Sequence, residues 1–197
     1  MSKKISKKEA ILQAATLFFS EKGYRDTSMG DIAKATGVAD GTVFYHFKTK
    51  EDLFIAVLAN FKQSVIKEFE KYLQENTFDT GLKMVEGILS FYFDMAEKME
   101  ERFLLLHRHY PYRLAEENPI CRNHLEDIYN CFLNIFEKAV LMGQRDGSIA
   151  EISARKTSLI LFTMVDGLVR LNTYNLYHAD NLFEELLESC RKILEKK

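Results

Sequence analysis

Apolar residues recur at helical spacing along almost the whole chain. Ile11, Ala14, Ala15, Phe18 and Phe19 fall at i, i+3, i+4, i+7 and i+8, which predicts an amphipathic helix. Gly23 follows it, where a residue able to take positive φ is wanted. Thr27 and Ser28 then offer an N-cap, and Ser28 with Asp31 has capping-box spacing. The short helix they open turns Met29, Ile32 and Ala33 inward and stops at Gly37. Asp40 can cap a third helix in which Val43 and Phe47 share one face. Thr49-Lys50-Glu51-Asp52 is a further capping box, opening a long helix whose apolar stripe is Leu53, Phe54, Val57, Leu58, Phe61, Val65 and Phe69. Two short helices joined through Ala33-x-x-x-Gly37-Val38 form a helix-turn-helix. The small Ala admits the second helix, Gly37 allows the tight turn and Val38 plugs the angle between them. The DNA-binding form of this motif places its second helix in the major groove.

Beyond residue 78 the pattern stays helical but becomes more apolar. On a wheel of 78–99, Leu82, Met84, Val85, Ile88, Leu89, Phe91, Tyr92, Phe93, Met95, Ala96 and Met99 cover an arc of about 200°, where a surface helix needs only about 100°. This helix is therefore buried from two directions. Neighbouring helices packed all round it would account for that, and so would an apolar cavity lined by Met84, Ile88, Phe91 and Met95, since Met and aromatic side chains suit varied ligand shapes. The apolar theme continues through Phe103-Leu104-Leu105-Leu106-His107 and breaks at Pro111. Asn118-Pro119 starts another amphipathic run containing Phe132 and Phe136, which Arg145-Asp146-Gly147 ends. In the least polar helix, 154–177, Thr163, Asp166 and Arg170 form one narrow polar strip. Asp166 and Arg170 have ion-pair spacing, or the strip orients the polar end of a ligand or fixes a subunit contact. After Asp180 a last helix gathers Leu182, Phe183, Leu186, Leu187, Cys190, Ile193 and Leu194 on one face.

Composition agrees with helices throughout. The 197 residues are 47% apolar with only 9 Gly and 2 Pro, and no alternating Val/Ile/Thr runs mark strands, which excludes a nucleotide-binding α/β sheet and a β-sandwich. Cys121, Cys131 and Cys190 include no CxxC pair, so neither a disulfide framework nor a zinc site is expected; His107 and His109 lie at i, i+2 and diverge on a helix. No metal and no cofactor is expected. The longest apolar run, Leu159–Val165, is broken at Thr163 and falls far short of a membrane span, and no export signal follows Met1, so a soluble cytoplasmic protein without membrane contact is expected. Net charge is −2, but residues 1–50 hold nine Lys+Arg against five Asp+Glu and residues 51–197 hold eighteen against twenty-four. A basic segment on an acidic body suits a polyanion on one side only.

The stretch Ile11–Leu58, above all Thr27-Ser28-Met29-Gly30-Asp31-Ile32-Ala33 through Gly37-Val38-Ala39-Asp40-Gly41-Thr42-Val43-Phe44-Tyr45-His46-Phe47 to Lys50-Glu51-Asp52-Leu53-Phe54, closely resembles the TetR family of bacterial transcriptional regulators. The resemblance covers a quarter of the chain and is specific in order and spacing. It implies an all-α fold, with a helix-turn-helix DNA-binding domain at 1–50 joined by the long helix to a helical effector-binding and dimerisation domain at 51–197. It places Gly41 where backbone approaches DNA, turns Thr42, Tyr45 and His46 outward, and assigns base reading to Thr42 and Tyr45. Phosphate contacts are expected from Thr27 or Ser28 and from Lys50, with Lys3, Lys4, Lys7 and Lys8 as a basic arm. Where the family commonly has Tyr this chain has Phe44, which removes a hydroxyl contact that Tyr45 would replace.

The resemblance further implies that the two C-terminal apolar helices pair with those of a second copy, so that a homodimer meets a palindromic operator in double-stranded DNA. The function expected is a dimeric repressor released by a small, largely apolar effector. The alternative is an architectural or nucleoid-associated DNA-binding factor of the same fold without an inducer. Candidate pocket residues are the Met84, Ile88, Phe91 and Met95 set, joined by Phe103 and His107, by Phe132 and Phe136, and by Thr163, Asp166 and Arg170. No HExxH, GxSxG or phosphate-binding glycine loop is present, so an enzyme is not expected.

Overall fold

Local capping and glycine chemistry set the helix boundaries. A computed structural model describes residues 5–177 and 179–195, leaving Lys3 and Lys4 of the expected arm outside the described residues. Among these residues every regular element is helical: α1 (Lys7–Glu21), α2 (Met29–Thr36), α3 (Asp40–His46), α4 (Lys50–Glu75), α5 (Gly81–Lys98), α6 (Glu100–Leu106), α7 (His109–Glu117), α8 (Pro119–Asp146), α9 (Ala154–Thr173), a 3₁₀ turn at Ala179–Leu182, and α10 (Phe183–Leu194). The predicted capping boxes form reciprocally. Ser28 Oγ accepts from the Asp31 N–H at 3.0 Å while the Asp31 carboxylate accepts from the Ser28 N–H at 3.1 Å, and Thr49 and Asp52 exchange the same pair at 3.0 Å each. Gly37 closes α2 at φ 67°, a left-handed conformation costly for other residues, and a Cβ there would meet nothing within 4 Å. Its conformation rather than its size is what the turn requires. Asp40 does not cap α3: the N-cap is Ala39, without a side-chain hydrogen bond, and Asp40 is the first helical residue.

The chain resolves into two compact units, residues 1–64 with 101–127, and residues 65–100 with 128–197. This divides the molecule differently from a cut after residue 50. The first unit takes in α6, α7 and the start of α8, because contacts far apart in sequence tie that segment to the helix-turn-helix. Arg108 donates through Nε and Nη2 to the Ser20 carbonyl at the end of α1 (2.9 and 2.5 Å) and through Nη2 to that of Glu21 (2.9 Å). Tyr110 stacks on Tyr24, centroids 3.7 Å apart and planes at 9°, and both meet Phe54 edge-on. Burial, then hydrogen bonding with Tyr24, pushes the Tyr110 phenol pKa well above its ordinary value. The core of this unit is Ile11, Ala15, Phe19, Ile32, Ala33, Val43, Leu53, Phe54, Val57, Leu58 and Phe61, as the apolar periodicity predicts.

In the second unit α5 is the central helix. Phe91 stacks on Tyr72 of α4 at 4.1 Å and meets Phe69 edge-on, while Tyr92 packs edge-on against Phe132 of α8 and Phe162 of α9. Thus neighbouring side chains occupy much of the wide apolar arc. Asp146 at the end of α8 accepts from the N–H of Gly81 at 2.7 Å and of Ser148 at 2.8 Å. A Cβ on Gly81 would lie 2.0 Å from the Gly143 nitrogen, so glycine is what lets the α5 start approach the α8 backbone. Burial raises the thiol pKa of all three free cysteines, Cys121, Cys131 and Cys190, to about 11.

Candidate nucleic-acid interface

The helix-turn-helix presents α3 with one face held and one face open. Val43 and Phe47 are buried under α3, whereas Tyr45 is 75% exposed and Phe44 47% exposed. Thr42 and His46 are half-buried at the margin of the open face, and the Tyr45 ring lies edge-on to His46 at 5.2 Å. Gly41 is exposed, and an added Cβ meets nothing within 4 Å, so nothing inside the protein demands a glycine there. An exposed aromatic flanked by a threonine, a histidine and bare backbone can offer a hydroxyl, a methyl and a ring to groove edges. It carries no arginine or asparagine for bidentate base contacts. Lys8 sits over the Phe47 ring at 5.9 Å, placing positive charge near the end of α3.

Two residues expected at the phosphates serve the protein itself. Thr27 is buried, and its hydroxyl donates to the carbonyls of Gly23 (2.9 Å) and Phe18 (3.2 Å), fastening the turn before α2 to the end of α1. Ser28, the adjacent N-cap, is exposed. Lys50 directs its ammonium back into the protein, donating to the carbonyls of Tyr24 (2.8 Å), Thr27 (2.9 Å) and Arg25 (3.4 Å) and lying 4.3 Å over the Tyr24 ring. Lys50 thereby joins the first turn of α4 to the α1–α2 turn. No local pattern marks this, because the acceptors lie more than twenty residues upstream. The functional geometry that sequence reasoning missed is this anchoring set, together with Arg108 and Tyr110.

The candidate pocket residues divide between the units. Phe103 and His107 are buried in the first, where Phe103 packs edge-on against Phe61 at 5.4 Å. Met84, Ile88, Met95, Phe132 and Phe136 are buried core residues of the second, and Phe91 is half-buried between Phe69 and Tyr72. Thr163 and Arg170 are exposed on the outer face of α9 rather than directed into the core, and the Thr163 hydroxyl donates to the Leu159 carbonyl at 2.7 Å. Of the polar strip only Asp166 reaches α5, accepting from the buried Tyr92 hydroxyl at 2.5 Å. Tyr92 was hidden within an apolar arc, and its polar tip became visible only with its partner. No group of three His, Cys, Asp or Glu among the described residues could hold a metal ion, and no described helix is long and apolar enough to cross a membrane.

A three-helix unit packed on one side, with one face of its last helix open, has the geometry of a DNA-binding helix-turn-helix. Residues 11–57 match the family model for bacterial regulatory proteins of the tetR family, and the proteins to which the whole chain is similar are transcriptional regulators. The fatty acid metabolism regulator protein of Bacillus subtilis is 27% identical over 195 residues, covering 96% of this chain and 97% of that protein. Among solved structures, FadR from Bacillus subtilis in complex with stearoyl-CoA matches with a TM-score of 0.74 at 24% identity, covering 94% of this chain and 98% of that one. A transcriptional regulator from Saccharomonospora viridis in complex with choline matches with a TM-score of 0.81 at 18% identity, covering 96% and 98%. These two structural likenesses concern the fold.

Proposed function

We propose that this protein is a dimeric transcriptional repressor that binds a palindromic operator through α3 and is released by a small, largely apolar ligand. The observation that carries the reading is the open α3 face: Tyr45 stands exposed while Val43 and Phe47 anchor the same helix. Thr42 and Tyr45 read the groove with Gly41 close to the backbone, while His46 and Ser28 at the start of α2 each meet a phosphate. The exposed apolar residues Leu159 and Ile160 on α9, and Leu182 and Ile193 at and beyond the start of α10, support pairing with a second copy. A dimer would space its two α3 helices about 34–36 Å apart on successive major grooves. The near full-length relationship to a fatty acid metabolism regulator supports an acyl chain as the apolar part of the ligand. Such a ligand acts only through unequal affinity for the DNA-competent and DNA-incompetent states. With DNA as its target, the protein works in the cytoplasm.

Genomic footprinting recovers the operator, and fluorescence anisotropy on that duplex, with and without stearoyl-CoA, tests the rest. Salt-dependent binding to the palindrome by a species that sediments as a dimer, weakened by the ligand, is expected. A monomer at micromolar concentration, or indifference to palindromic duplexes in dilute buffer, refutes the reading. Tight ligand binding with unaltered operator affinity refutes the release step.

A further inference from the structure

The first unit carries a basic cleft that DNA reading by α3 does not use. It has a volume of about 480 Å³ and opens between the α1–α2 turn and α7. Lys22 and Arg25 line it from the turn, and Arg108, His109 and Arg113 from the α7 side, against a single carboxylate, Asp26. No residue of α2 or α3 is among those lining it. Five basic or imidazole side chains thus face one carboxylate in a chain of net charge −2. Some cations elsewhere are paired, as in Lys62–Asp127, Arg155–Glu137 and Arg191–Glu86. Among the described residues, Lys22, Arg25 and Arg113 have no carboxylate within 4.0 Å of their nitrogens.

The wall behind these charges is firmly built. Arg108 is held by the Ser20 and Glu21 carbonyls, and the stacked Tyr24 and Tyr110 rings back the cleft. Lys22 lies over the Phe18 ring at 4.3 Å. Exposed Arg25 and Arg113, on opposite walls, keep planar donor forks free, and such forks match the paired oxygens of a phosphate. Concavity and like-signed walls focus potential on an anion. The volume lies within the range of small-molecule sites, about 300–1,000 Å³.

We propose that this cleft binds a phosphate-bearing small molecule with two or more phosphate charges, bridging the α1–α2 turn to α7. Bridging adds a tie between the segment leading into α2 and the α7 wall, so occupancy stabilises the first unit. The site stands independently of the proposed function, because it requires neither DNA nor an apolar ligand.

Isothermal titration of the full chain with sodium pyrophosphate, at low ionic strength and against sodium sulfate at equal ionic strength, tests it. Saturable binding of one pyrophosphate per chain, preferred over sulfate and accompanied by a rise in melting temperature, is expected. The exposed pair R25A/R113A should keep its fold by circular dichroism and bind pyrophosphate at least about ten-fold more weakly, since each lost charge-assisted contact alone is of that order. K71A, which removes an exposed cation on α4, should bind as the parent does. No saturable binding, equal binding by R25A/R113A, or no preference over sulfate overturns the proposal. So does a pair of variants that leaves pyrophosphate binding intact and instead flattens the DNA salt slope by about 0.9 per residue, because the arginines would then be backbone contacts. A parent chain that binds pyrophosphate but ignores every duplex upholds this site and refutes the repressor reading; one that binds its operator but no pyrophosphate does the reverse.

Discussion

Lys50→Ala separates two roles that the same ammonium could have. In the structure Lys50 Nζ makes two short hydrogen bonds and one long one to the carbonyls of Tyr24, Thr27 and Arg25, beneath which the Tyr24 ring adds a cation–π contact. A hydrogen bond to a charged group contributes about 1.5–3 kcal/mol. Lys50 is half-buried and the long bond adds little, so the values belong at the low end. Removing the ammonium should therefore cost about 2–3 kcal/mol of stability, with the cation–π contact included. For a chain of this length that lowers the melting temperature by roughly 4–12 °C. Operator affinity should fall as the α1–α2 turn loosens, equally at every salt concentration. The slope of log K against log salt should not change, because no phosphate contact has been removed. Thermal melts and anisotropy titrations across a salt series provide both readouts. An unaltered melting temperature with the slope reduced by about 0.9 would refute the anchoring role and show Lys50 to be a backbone contact.

Three further substitutions probe the rest of the frame. Gly81→Ala forces a Cβ to 2.0 Å from the Gly143 nitrogen and 2.5 Å from the Ala139 carbonyl, both main chain, so α5 must leave α8. A loss of about 3 kcal/mol or more is expected in chemical denaturation, at the upper end of overpacking effects. Gly41→Ala meets only open space. It should raise stability by up to about 1 kcal/mol through helix propensity while weakening operator binding, and unchanged DNA affinity would remove Gly41 from the interface. Asp146→Asn tests acid sensitivity. Hydrogen bonds from the Ser148 side chain, then from the Gly81 and Ser148 N–H groups, hold the Asp146 carboxyl below its ordinary pKa. A depressed folded-state pKa contributes stability that is complete above the unfolded value, about 3.9, and lost as pH falls through the folded one. The gap between parent and variant should be constant above about pH 5 and close below pH 4; a gap that persists at pH 2 would contradict the assignment.

Sequence alone determined the elements whose causes lie within one helical turn. Ser28–Asp31 and Thr49–Asp52 cap their helices as their spacing demands, Gly37 takes the left-handed turn, and the α4 stripe from Leu53 to Phe69 is buried. The held face of α3 followed from the same logic, since Val43 and Phe47 share one side, whereas the outward set Thr42, Tyr45 and His46 came from the family resemblance. Tertiary structure alone decided what each polar group does. Thr27 and Lys50, expected at phosphates, donate to the carbonyls of residues 18 to 27, and Arg108 becomes a wall of the first unit only because α1 ends beside it. Likewise the apolar arc of α5 told that something covers it, but not that Phe69, Tyr72, Phe132 and Phe162 help to do so. The reason is range. Periodicity and caps act between residues three or four apart, whereas a charge or hydroxyl binds whichever partner the folded chain brings within 3 Å, at separations that no local pattern encodes.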